Sequence, residues 1–123
     1  VEAQVAAAVD AEDGSCRLLV GKSLGSLATG LAADRNLPAA WLTPLLHAPL
    51  VVRSLARTTA PTLLVGGTGD THWDSRIAHE LPHQVLEIPS ADHSMQLPGD
   101  AVESAGVLQR VTARLAAFVG PLG

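Results

Sequence analysis

Residues 16–34, CRLLVGKSLGSLATGLAAD, decide how the chain is read. An apolar run, Leu18-Leu19-Val20, passes straight into Gly21-Lys22-Ser23-Leu24-Gly25, and a small-residue helical pattern follows. Two physical settings place a serine between glycines at such a strand-to-helix junction. One is a phosphate loop, G-x-x-x-x-G-K-[ST]. Here its first glycine would fall at Cys16, and the intervening Arg17–Val20 read as a buried strand, whose N–H groups are engaged in a sheet and cannot cradle phosphate. The other is a sharp reversal that holds the serine clear of the sheet, where glycines two residues before and after avoid a collision at the tip.

Working outward, buried strands alternate with helices. The pattern predicts a helix over 1–11 with Val1, Val5, Ala8 and Val9 on one face, a turn at Glu12–Ser15, and a strand over 16–21. A helix over 23–36 follows, ending at Asn36, then a strand from Ala39 to Thr43. Residues 44–58 carry a loop and a helix with Pro49 near its start. A strand opens at Pro61 and closes at Gly66-Gly67. Asp74 is a good N-cap for a short helix. HQVLEIP, residues 83–89, is a fourth strand, and 101–120 is a closing amphipathic helix. The order αβαβαβαβα implies an α/β fold, a three-layer αβα sandwich around a parallel sheet of about four strands.

The 123 residues suit one domain, 1–123. With 47% hydrophobic and 16% charged residues the chain is globular in composition and builds a core from few aromatics, two Trp and one Phe. A net charge of −4 and the absence of a basic stripe argue against nucleic acid as a partner. No apolar run approaches the ~20 residues of a membrane helix, and no basic-then-apolar leader is evident, so the expected location is cytoplasmic. A single cysteine, Cys16, excludes an internal disulfide and reads as a small buried residue. Lys22 is the only lysine.

In open parallel sheets, chemistry gathers at the carboxyl ends of the strands. Three segments lie there: GKSLGS, GGTGDTHWD and SADHSM. They supply Ser23, Asp70 and His93 in that chain order. Asp74 is better explained as a helix cap, and Asp92 as a residue turned into its own loop. Gly21-x-Ser23-x-Gly25, with Asp70 after the third strand and His93 after the fourth, resembles the α/β-hydrolase superfamily over nearly the whole chain. The likeness is to the C-terminal portion of small serine esterases and dienelactone-hydrolase-like members, so the sheet would be an N-terminally incomplete version of that fold.

The resemblance implies hydrolysis of an ester, thioester or lactone in a small-molecule acyl substrate, through an acyl-serine. Ser23 would be the nucleophile, His93 the base, and Asp70 the acid that orients it. The backbone N–H of Leu24 would line the oxyanion hole, and Gly21 and Gly25 would be the elbow glycines. Neither metal nor organic cofactor is implied. The family's earlier strands, with a second oxyanion-hole donor, have no counterpart here. That leaves Leu18, Leu19 and Val20 on an open edge and predicts a homodimer or pairing with an upstream segment. It also raises the alternative of a catalytically inactive fragment or interaction module. Residues 44–60 are too few for a lid domain.

Two other motifs fail on physical grounds. Gly67-x-Gly69 would need a third glycine at position 72, which is His72. HELPH, residues 79–83, matches the zinc motif H-E-x-x-H, but Pro82 breaks the helix that must carry both histidines.

Overall fold

The computed structural model describes residues 1–12 and 16–122; most of the turn expected at Glu12–Ser15 therefore lies outside the described residues. Four strands, β1 (Leu19–Lys22), β2 (Ala39–Leu42), β3 (Thr62–Gly67) and β4 (Gln84–Ile88), form one sheet in the order β1-β2-β3-β4. All three pairings are parallel, with Leu19 opposite Ala39, Ala39 opposite Thr62 and Leu63 opposite Gln84. Among the described residues five α-helices intervene or flank: α1 (Glu2–Ala11), α2 (Thr29–Arg35), α3 (Pro49–Arg57), α4 (Ser75–Glu80) and α5 (Ala101–Val119). The expected alternation of strand and helix is the observed one.

Alternate residues of each strand feed two cores. Ala39, Trp41 and Leu64 point to one face, where they meet Ala32 of α2, Val51 and Leu55 of α3 and Ala78 of α4. Ala40, Leu63, Val65 and Ile88 point to the other, where they meet Val107, Val111 and Phe118 of α5. All six residues of β3 are buried. Full burial of a side chain such as Leu63, Leu64 or Val65 contributes about 1.5–3 kcal/mol, so β3 is the axis of the molecule.

Local chemistry sets the element ends. Pro49 occupies the first turn of α3, where its fixed φ suits the helix and its missing N–H costs nothing. Asp74 and Asp100 cap α4 and α5, their carboxylates accepting from the N–H groups of Ile77 and Glu103 at 3.0 and 2.9 Å. Asn36 closes α2 in the left-handed conformation, φ 52°.

Three expectations shift. Strand β1 begins at Leu19 rather than Cys16, because its partner β2 begins at Ala39 and offers no register before it. Residues 23–28 form a 3₁₀ turn instead of the first part of an α-helix. The hydroxyl of Ser26 donates to the carbonyl of Ser23 at 2.7 Å, competing for an acceptor that an α-helix would use. As Pro82 leads one to expect, helix α4 stops at Glu80, with Leu81 driven into an extended conformation, φ −73°, ψ 147°. Of the expected apolar face, Val9 is buried and Val5 half-buried, whereas Ala8 and Val1, the residue before α1, face solvent.

No helix among the described residues is long and apolar enough to cross a membrane.

Candidate active site

The carboxyl ends of β1, β3 and β4 converge. Ser23 follows β1 directly and sits at φ 53°, a left-handed conformation that strains any residue with a side chain. Such strain costs about 1–3 kcal/mol and persists only where the surroundings enforce it. Here Ser26 enforces it: buried, it donates to the Ser23 carbonyl and accepts the N–H of Leu45 at 3.1 Å, tying the turn to the segment after β2. A Cβ on Gly21 would lie 2.5 Å from the ring of Trp41 and 3.3 Å from the Gly25 backbone, so glycine is required there. Gly25 differs from expectation. A Cβ on it would meet nothing within 4 Å, so crowding at the tip constrains only the first of the two glycines.

Asp70 ends a tight turn after β3, its N–H donating to the Gly67 carbonyl and its carbonyl accepting from Trp73. Its carboxylate is wholly buried. One oxygen accepts the N–H of His72 at 2.9 Å, and the other lies 2.7 Å from Nδ1 of His93. Across the ring, Nε2 of His93 lies 2.6 Å from the Ser23 hydroxyl. Ser23, His93 and Asp70 are thus brought into one continuous chain of hydrogen bonds, although 70 positions separate serine from histidine.

Loops after β3 and β4 are zipped together to make this approach. Thr68 and Gly69 donate their N–H groups to the carbonyls of Ile88 and Ala91, and the N–H of Ser90 donates to the Thr68 hydroxyl at 2.7 Å. A Cβ on Gly67 would fall 2.2 Å from the Ala91 carbonyl oxygen. Gly67 and Gly69 therefore do more than close a strand: they let the acid loop touch the histidine loop.

The competing carboxylates are engaged elsewhere. Asp74 caps α4, and Asp92 accepts the N–H groups of Ser94 and Gln96 within its own loop. Leu24 follows the serine and is 63% exposed. His79 lies in the last turn of α4, its Nδ1 2.8 Å from the Ser75 carbonyl, while His83 lies beyond the helix with Nε2 2.7 Å from the Leu55 carbonyl. No cluster of metal-ligating side chains occurs among the described residues.

Glu87 on β4 accepts from the indole N–H of Trp73 at 2.7 Å. Burial pushes this carboxyl up, but hydrogen bonds from Ser75 and Trp73 and the field of His79 outweigh it, leaving Glu87 below the usual carboxylate range. A groove of about 660 Å³ lies between the β1–β2 end and the start of α5, with Lys22, Leu42, Met95, Leu97 and Leu108 among its walls.

Sequence reasoning missed Ser26, whose buried hydroxyl holds the Ser23 turn, and His72, whose ring centroid lies 4.9 Å from that of His93. The sequence offered only a weak signal for each: a polar residue inside an apolar helical pattern, and a histidine two places after the acid.

The fold has counterparts among solved structures. An alpha-beta serine hydrolase homologue from Coxiella burnetii matches with a TM-score of 0.67 over 98% of this chain, at 16% identity. The esterase domain of a Rhodothermus marinus protein matches with a TM-score of 0.63 over 94%, at 18% identity. The fold is α/β-hydrolase-like. This chain spans 56% and 65% of the lengths of those two proteins. No protein-family model matches the sequence, and no curated protein matches it.

Proposed function

We propose that the chain carries a serine hydrolase site that cleaves an ester, thioester or lactone. Ser23 Oγ attacks the carbonyl carbon while Nε2 of His93 takes its proton, and Asp70 holds Nδ1–H in the tautomer that makes this transfer productive. The backbone N–H of Leu24 donates to the developing oxyanion. Collapse breaks the bond to the leaving alkoxide or thiolate, which departs with the proton from His93. A water molecule then loses its proton to His93 and attacks the acyl-serine, releasing the acid and restoring the Ser23 hydroxyl.

The observation that carries this reading is the unbroken chain of 2.6 and 2.7 Å contacts from serine to histidine to a buried aspartate. The test is reaction with a fluorophosphonate, read by intact mass and peptide mapping, with Ser23→Ala as control. One adduct on Ser23, absent in the control, is expected. A protein left unmodified, or modified equally in the control, overturns the reading.

A second reading has its own observation. Among the described residues strand β1 pairs only with β2, and Val20 on it is 57% exposed. We infer that this edge accepts a further strand, from a second copy or another segment of polypeptide, and that an unreactive chain would act through it as an interaction module.

A further inference from the structure

We propose that His72 is a positioning residue for His93, backing the imidazole while the base moves protons; this rests on the hydrolase reading above. The two rings stand 4.9 Å apart between centroids, tilted by 55°. That separation falls in the range where aromatic rings attract. The backbone of His72 is pinned on both sides. Its N–H donates to Asp70 Oδ1 at 2.9 Å, and its carbonyl accepts the Leu46 N–H at 3.1 Å. Because Asp70 Oδ2 holds His93 Nδ1, a single buried carboxylate sets the register of both histidines.

The reaction cycle gives this contact its purpose. His93 stands on a loop with its side chain 38% exposed, held by one polar partner at each nitrogen. When Ser23 is acylated its oxygen has no proton to share, and the Nε2 contact is lost. Asp70 is then the one remaining polar anchor, and the imidazole is free to pivot about it toward solvent. The His72 ring closes one side of that swing. Asp70 is the carboxylate bonded to this pair, since Asp74 and Asp92 are committed to a helix end and to their own loop.

The experiment compares wild type, His72→Ala and His72→Phe. Two readouts are taken: kcat and KM for p-nitrophenyl butyrate, and the low-field NMR signal of the His93 Nδ1 proton in its bond to Asp70. Far-UV circular dichroism and Tm verify folding. His72→Ala is expected to lower kcat about 3–10-fold with KM within about twofold, the range one aromatic contact supplies, and to broaden the proton signal. His72→Phe, which keeps a ring in place, restores both. Equal values in all three proteins overturn the proposal. So does a raised KM at unchanged kcat, which would make His72 a substrate contact, and so does failure of Phe to rescue. The NMR arm needs no turnover. A signal lost in Ala and kept in Phe, in a protein that neither turns over ester nor labels at Ser23, would uphold the brace and sink the hydrolase reading. An active enzyme with an indifferent signal would do the reverse.

Discussion

Strands β3 and β1 carry the two ends of the hydrogen-bonded chain, and they are built differently. Strand β3 is buried along all six residues and paired on both sides. Strand β1 has four residues, alternately half-buried and exposed, and one neighbour. The buried acid therefore hangs from the most supported part of the molecule and the serine from the least. A carboxylate taken out of water needs rigid donors, which β3 and its turn provide. A nucleophile needs access, and its geometry is supplied locally by Ser26 and Gly21, not by the strand as a whole.

The largest test of that contrast removes charge from the rigid end. Asp70→Asn keeps the shape but offers the wrong hydrogen-bonding partner to His93 Nδ1. Under the proposed mechanism kcat should fall by about 10⁴, as wrong-tautomer variants do in serine hydrolases of this logic, with the far-UV spectrum unchanged. Steady-state kinetics on p-nitrophenyl butyrate measures it; a loss below tenfold would show that Asp70 does not orient the base.

Next comes backbone approach. Gly67→Ala puts a methyl against the Ala91 carbonyl, a backbone atom that cannot swing aside. It should destabilise by about 1–3 kcal/mol and loosen the contact between acid and histidine loops. Gly25→Ala, with open space around it, should be neutral or stabilising by up to about 1 kcal/mol. Urea unfolding of the pair measures both, and equal losses would remove the distinction between the two glycines.

The alternation of strand and helix, and the placement of Ser23, Asp70 and His93 on one side of a parallel sheet, were legible in the sequence for one reason. Parallel strands bring their carboxyl ends to one side, so residues after successive strands meet whatever their separation along the chain. Pro82 and Asp74 were legible too, because their effects are local, whereas the cap that Asp100 supplies to α5 was not singled out. What was not legible depends on contacts across the sheet. That Trp41 crowds Gly21 while nothing crowds Gly25 needs the register of β1 on β2. That Ser26 bends the helix start needs the position of Leu45. The apolar edge is also narrower than the sequence implies: Leu18 and Leu19 are half-buried against opposite cores, leaving Val20 as the exposed apolar residue of β1.

The weak end gives the next prediction. Val20→Lys places a charge on the free edge, a device that blocks strand addition, at a surface site where the cost should stay within about 0.5 kcal/mol. If the edge accepts a second copy, sedimentation should show wild type above monomer mass and the variant shifted toward it. A monodisperse wild-type monomer would remove self-pairing and leave only a different strand as partner.

The smallest effect sharpens the contrast from the rigid side. Glu87 tethers Trp73, whose ring lies against Gly66 in β3, so the turn bearing Asp70 is braced from β4. Its carboxyl is held below the ordinary range, so the folded state favours the ionised form more than the unfolded chain does. Its contribution is therefore present in full above the usual carboxylate range, about pH 4–5, and is lost as the pH falls through the lower folded value. Glu87→Gln removes that contribution. In urea, wild type should unfold at a higher midpoint than the variant at pH 7, and the two midpoints should converge as the pH falls through the lowered folded value, below which Glu87 is protonated in both states. A gap that persisted unchanged into acid would mean that the glutamine disturbs packing around Trp73 rather than a charge-assisted bond. The brace on β3 would then be steric, like the one that Trp41 supplies at Gly21.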